Sequence, residues 1–144
     1  MPAKVVAVCL SEKKGEQKTP VSSVEVKENY GIVGDAHAGG GDRQVSFLAM
    51  ESIRKMQALG LLVSMGDFAE NITTEGIELV SLPIGTRLRV GRTEMEVTRI
   101  GKECHTRCAI YYQAGDCVMP KEGIFAKVVT GGKIRPGDVI EVVE

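Results

Sequence analysis

Tryptophan is absent from this 144-residue chain, and phenylalanine and tyrosine occur three times each. With so few aromatics, the architecture is written mainly in aliphatic residues and in seventeen glycines. Charge of one sign is also missing: the formal net charge is −1, so no global basic field argues for nucleic acid as a partner. No apolar run approaches the ~20 residues of a membrane-spanning helix. The apolar start, Val5 to Leu10, is broken by Ser11-Glu12-Lys13-Lys14 and lacks a signal-type core with a small-residue cleavage site. A cytoplasmic protein is the expectation. No linker, low-complexity tract or repeat divides the sequence, and its length suits one domain, 1–144.

What is present alternates between β-branched runs and turn signals, a pattern that predicts a mostly-β fold. Val5–Leu10 reads as the first strand and Val21–Val26 as a second, separated by a polar loop around Gly15–Thr19. Gly31–Asp42 is a glycine-rich excursion too long for a simple hairpin, and long ordered loops are often functional. Gln44–Leu48 returns as a strand. Met50–Leu59 then carries helix formers, with Met50, Ile53, Met56 and Leu59 spaced three apart on one face and Gly60 as the stop. Phe68–Thr74 is a further extended candidate. Leu82–Val90 and Ile134–Val142 each place a glycine turn before an alternating strand, and Val90–Val97 reads as a hairpin. Such turn-plus-strand units favour a closed or nearly closed barrel with one or two short helices.

Chemistry concentrates in Gly101-Lys102-Glu103-Cys104-His105-Thr106-Arg107-Cys108, which holds two of the four cysteines and one of the two histidines. A cysteine reacts as its thiolate, and neighbouring positive charge lowers the thiol pKa from its ordinary ~8.5. Lys102 and Arg107 provide such charge. Structural zinc fits less well. Cys104 and Cys108 make one pair, and His105 and Cys117 are further donors, but no clean second pair follows. On a helix, for which residues 103–114 have fair propensity, Cys104 and Cys108 share a face and come within mutual reach. On a strand they sit ~13 Å apart, beyond disulfide reach. Cys9, in the first apolar run, reads as a buried small hydrophobe. Asp35-Ala36-His37-Ala38-Gly39-Gly40-Gly41-Asp42-Arg43 offers backbone amides, His37 and Arg43 to an oxyanion or phosphate. It is neither a Walker loop nor a dinucleotide fingerprint, and a surface loop without a ligand fits it too.

Several phrases, in order along the chain, resemble the MOSC family, the molybdenum-cofactor sulfurase C-terminal domain. They are Gly34-Asp35-Ala36-His37-Ala38-Gly39, Arg43-Gln44-Val45-Ser46, Asp67-Phe68-Ala69-Glu70-Asn71-Ile72-Thr73, Gly101–His105 with Cys108, Glu122–Ala126 and Pro136-Gly137-Asp138. The resemblance is to the small standalone bacterial form, without a pyridoxal-phosphate desulfurase domain. It implies a barrel-like fold and a part in delivering sulfur to, or binding, a molybdopterin-type molybdenum or tungsten cofactor. It places Cys108, after Arg107, at the position of the family's sulfur-carrying cysteine, with Cys104 as a possible resolving thiol. His37, Arg43, Lys102, His105 and Arg107 become candidates for cofactor binding. The partners it implies are a cysteine desulfurase as donor and a molybdoenzyme or cofactor-biosynthesis protein as acceptor. The alternatives are a non-catalytic cofactor-binding module and a zinc-stabilised structural domain.

Overall fold

The computed structural model describes residues 3–11, 18–36, 38–39, 41, 44–60, 64–66, 70–100 and 123–143. Eleven strands are set out in these residues: β1 (Ala3–Leu10), β2 (Thr19–Val21), β3 (Val24–Lys27), β4 (Gly31–Ile32), β5 (Val45–Ala49), β6 (Ile72–Glu75), β7 (Arg87–Val90), β8 (Thr93–Ile100), β9 (Ile124–Thr130), β10 (Gly132–Ile134) and β11 (Val139–Val143). Among the described residues one helix, α1 (Met50–Ala58), follows β5, and one 3-10 turn spans Leu79–Ser81.

Seven strands run in the order β11-β7-β8-β9-β5-β6-β1, and pairing of β1 with β11 closes them into a barrel. β2 extends the sheet beyond β1, while β10, β3 and β4 form a small second sheet. Within the barrel only β5 and β6 run parallel among neighbours. A parallel pair needs a crossover, and α1 lies within that connection. Register shifts between Val5 and Ala7, and twice along β8, bend the strands around the barrel.

Period-two alternation decides what fills the barrel. Val45, Phe47 and Ala49 of β5 meet Val5, Ile72, Leu88, Val90, Met95, Val97, Ile124, Ala126 and Ile140 in one buried cluster. With so few aromatics, Phe47 is one of the two largest fully buried side chains. α1 packs on β5 and β6 and buries Ile53 and Met56, as their spacing predicts. Leu59 departs from that stripe. The helix stops at Ala58, Leu59 becomes its C-terminal cap, and its side chain is 67% exposed. Gly60 adopts φ +92, the left-handed conformation of a helix terminator.

Two strand expectations also shift. Val21–Val26 is not continuous: β2 ends at Val21 and β3 begins at Val24 in a different sheet. Of the Phe68–Thr74 candidate, Phe68 and Ala69 lie outside the described residues; Glu70 and Asn71 stand before the strand, which starts at Ile72, because Asn71 spends its backbone and side chain on neighbouring segments. The helical tendency of residues 103–114 falls outside the described residues.

Core packing gives a direct check. Phe47→Ala is expected to lower unfolding free energy by ~3–5 kcal/mol in denaturant titrations. Ile84→Ala, at a side chain 65% exposed, is expected to stay within ~0.5 kcal/mol of the parent.

Candidate functional site

Three of the sequence phrases meet at one end of β5 and β6. Asp35, from the glycine-rich segment, forms a buried ion pair with Lys18, Nζ to Oδ1 2.8 Å, both side chains fully shielded from solvent. Lys18 Nζ also donates to Ser11 Oγ at 3.1 Å, and the Ser11 amide donates to the same Asp35 oxygen at 3.0 Å. The Ala36 amide returns a bond to the Ser11 carbonyl, 2.7 Å. Ser11 follows β1 and Lys18 precedes β2, so the two strands and the segment after β4 are joined at one point.

The network continues through backbone. The Lys18 amide donates to the Gly66 carbonyl at 2.8 Å, and the Gly66 amide donates to Glu70 Oε2 at 3.0 Å. Thr73 Oγ1 donates to the same carboxylate oxygen, 3.0 Å. Beside it, Asn71 binds Ser46 through both main chain and side chain and donates from Nδ2 to the Cys9 carbonyl at 3.1 Å. Glu70, Asn71, Ser46 and Cys9 are buried. Each of these residues holds at least one hydrogen-bond partner, which is what makes such burial tolerable. Cys9 itself is buried in the interior, as its place in the first apolar run predicts.

Gln44 performs a similar task on the other side of β5. Its Nε2 donates to Asn29 Oδ1 (3.1 Å) and to the Gly41 carbonyl (3.0 Å), while Oε1 accepts the Val128 amide at 3.0 Å. Asn29 has φ +51, the left-handed region that asparagine tolerates. The Gly39 amide donates to the Tyr30 carbonyl at 2.6 Å. Both flanks of the glycine-rich segment are thus fixed to the barrel, at Asp35 and at Gln44.

The cysteine-bearing segment attaches elsewhere. β8 ends at Ile100 and β9 begins at Ile124, and these two residues are paired directly. The register of β9 on β5 and of β5 on β6 sets that exit on the side of Ala49 and Thr74. The Asp35 network lies on the opposite side, near Ser46 and Asn71. A cavity of about 520 Å³ opens at the Ala49 end, between α1 and the chain from Gly76 to Val80. Lys55, Glu51 and Glu78 are among its lining, with Leu79 at its apolar wall.

All seven residues singled out by sequence, His37, Arg43, Lys102, Cys104, His105, Arg107 and Cys108, lie outside the described residues. What the structure gives for them is their points of attachment. His37 and Arg43 belong to the segment fixed by Asp35 and Gln44; the other five belong to the segment leaving at Ile100. Among the described residues no group of three or more His, Cys, Asp or Glu is placed to hold a metal ion. Sequence reasoning passed over Lys18, Asp35, Gln44, Ser46, Glu70 and Asn71 as site-forming residues. The signal available was their position: five of the six fall inside or directly beside the quoted phrases, as polar residues against apolar strands.

On the barrel's outer face Arg87 pairs with Glu94 (2.9 Å) and Glu96 (3.3 Å), and Lys127 with Glu96 at 3.5 Å. The hydrogen bond to Glu94, followed by the nearby negative charge of Glu96, pushes the Arg87 guanidinium above its ordinary value. These solvated pairs contribute little to stability and form a cross-strand ladder, not a pocket.

The backbone is as demanding here as the side chains. Gly66 has φ +91, and a Cβ there would overlap the Lys18 carbonyl oxygen and sit 3.3 Å from Cys9 Sγ. Gly85 has a similar φ of +93 but open space around it. Gly85→Ala is therefore expected to cost only the ~1–2 kcal/mol of a left-handed alanine. Gly66→Ala is expected to cost clearly more by thermal or chemical unfolding, because backbone must move as well.

A family model described as the MOSC domain matches residues 34–141. No curated protein sequence matches the chain. Among solved structures, the YuaD protein from Bacillus subtilis superposes with a TM-score of 0.80 at 19% identity, covering 99% of this chain and 96% of that one. YiiM from Geobacillus stearothermophilus gives 0.74 at 21% identity, with 99% and 76% covered. YiiM from Escherichia coli gives 0.66 at 20% identity, with 99% and 69% covered. At these identities the likeness is one of fold.

Proposed function

The chain belongs to the MOSC domain family, a molybdenum-cofactor-related family, and from that premise we propose that it is a sulfur carrier which holds a persulfide on Cys108 for a molybdopterin-type cofactor. The observation that carries this reading is the span of the family match, which takes in the whole segment from Gly101 to Cys108. Two thiols and three cationic or titratable side chains (Lys102, His105 and Arg107) stand there within eight residues.

The donor set suits such a group chemically. Thiolates are soft ligands or nucleophiles for molybdenum or tungsten, and Arg43, Lys102 and Arg107, with His37 and His105, are the donors that a pterin phosphate requires. The glycine-rich segment leads into β5 at Val45, and the cysteine-bearing segment leaves at the Ile100–Ile124 pair, level with Phe47, ~7 Å further along that strand. Segment 101–122 contains 22 residues held at both ends; Cys108, eight residues beyond Ile100, can lie at most ~28 Å from it, so covalent geometry permits the two sets to act on one ligand.

The chemistry assigned to this chain is thiol exchange. Cys108 thiolate, favoured by Arg107 and Lys102, attacks the outer sulfur of a persulfide on a cysteine desulfurase. The Cys108 sulfur–sulfur bond forms, the donor's sulfur–sulfur bond breaks, and the donor leaves as a thiolate. Cys104 thiolate can then attack Cys108 Sγ. That step releases the outer sulfur as hydrosulfide, and the two cysteines supply the two electrons by becoming a disulfide. The cofactor's metal, in an acceptor molybdoenzyme or biosynthesis protein, supplies the electrophilic site for the sulfur. A cytoplasmic setting accords with this use of reduced thiols; among the described residues no helix is long and apolar enough to cross a membrane.

Mass spectrometry after incubation with a cysteine desulfurase and cysteine tests the assignment. Wild type is expected to gain one sulfur atom, and Cys108→Ser to gain none. An adduct that survives Cys108→Ser moves the carrier elsewhere. Absence of any adduct on wild type, with cofactor binding intact in Cys108→Ala, makes the chain a binding module instead.

A further inference from the structure

We propose that Lys18 and Asp35 are positioning residues: their buried ion pair ties Ser11, after β1, and Lys18, before β2, to the segment after β4 at Asp35 and Ala36, and is retained for that placement and not for stability. The first support is energetic. Removing two charges from water costs several kcal/mol per ion in effective terms, and a buried ion pair often gives no more stability than an apolar pair of similar volume. Lys18 and Asp35 are both completely shielded, so stability alone is a poor reason for having charges there.

The second support is connectivity. Residues 12–17 begin after Ser11 and end before Lys18, and both of those flanking residues bind the same Asp35 oxygen. The Lys18 side chain adds a bond to Ser11 Oγ, closing the triangle. The Lys18 main chain binds Gly66, and Ala36 binds Ser11. One carboxylate thus fixes both ends of one connection and lies two positions before His37 in sequence. The barrel does not need this link. β1 is already paired with β2, β6 and β11 through backbone bonds. Among the described residues the other ion pairs, such as Arg54 with Glu75 and Arg89 with Glu141, are partly exposed and join no such set of segments.

The test replaces both charges at once with Lys18→Met/Asp35→Leu, which leaves no unpaired buried ion. The melting temperature is expected to stay close to that of wild type. Amide exchange at Lys18 and Ala36, whose carbonyl acceptors on Gly66 and Ser11 are untouched by the substitutions, is expected to quicken by about tenfold or more. Exchange in β5 and β9 is expected to stay unchanged. Wild-type exchange at Lys18 and Ala36 in the folded double variant overturns the proposal. Should that variant fail to fold, the neutral pair Lys18→Gln/Asp35→Asn takes its place; if that also unfolds, the pair is a stability element and the proposal falls.

A second arm rests on the reading of the His37–Arg43 segment as an anion site. Calorimetric titration with inorganic phosphate is expected to show about tenfold weaker binding in the double variant and in Arg43→Ala. Loss in Arg43→Ala with full affinity in the double variant overturns the positioning role. Wild-type protein that binds no phosphate, or Arg43→Ala that binds it fully, overturns the anion site; amide exchange then decides the role of the pair by itself.

Discussion

Closure of the barrel rests on the short seam between β1 and β11. Ala3 faces Ile140 and Lys4 faces Val139, and reciprocal backbone bonds from Val5 to Asp138 and from Gly137 to Val5 extend the contact. Without that seam β1 and β11 are edge strands with unpaired amides and carbonyls, the condition that invites association with other chains. The seam also governs what lies further along β1. The same strand pairs with β6, brings Cys9 to Asn71 and ends at Leu10, directly before Ser11. A strand secured at its start therefore delivers the polar network at its finish.

That network explains why polar residues recur in an otherwise aliphatic framework. Ser46 and Asn71 exchange bonds between β5 and the chain entering β6, at the one place where the sheet is parallel. Glu70 gathers Gly66 and Thr73. Gln44 bridges β9, the turn at Asn29 and the glycine-rich segment. Each of these side chains satisfies at least one main-chain group, in a connection, as at Gly66, Gly41 and Asn71, or on a strand, as at Ser46 and Val128, and an unsatisfied group at such depth costs ~1–3 kcal/mol. The short phrases that identify the family are, in large part, the hydrogen-bonding needs of its connections.

Much of the fold was legible in the sequence. β1, β5, α1 and the β7–β8 hairpin follow from periodicity and from the glycine turns around them, because local pattern and tertiary burial agree there. The break between Val21 and Val24 was not legible, since the change of sheet is decided by which strands lie alongside. The exposure of Leu59 was missed for a related reason: a spacing of three continues on paper past the point where the helix stops. As for the candidate site, the sequence pointed to thiols and cations by their chemistry and overlooked the residues that hold their segments. Lys18 looks like any loop lysine until its partner, seventeen positions away, is brought next to it.

The union of Ile100 with Ile124 has an evolutionary consequence. A connection that leaves and re-enters at directly paired positions makes little demand on the strands beneath it, and doubling the length of an inserted stretch costs only ~0.6 kcal/mol in closure entropy. Strands β8 and β9 meet across six pairs of residues, so the framework survives while the stretch between them is rewritten. Selection can then try new reagents, spacings and partners at that point without renegotiating the barrel. The solved structures that share this fold do so at about 20% identity over nearly the whole chain, so the barrel tolerates wide change in the residues that build it.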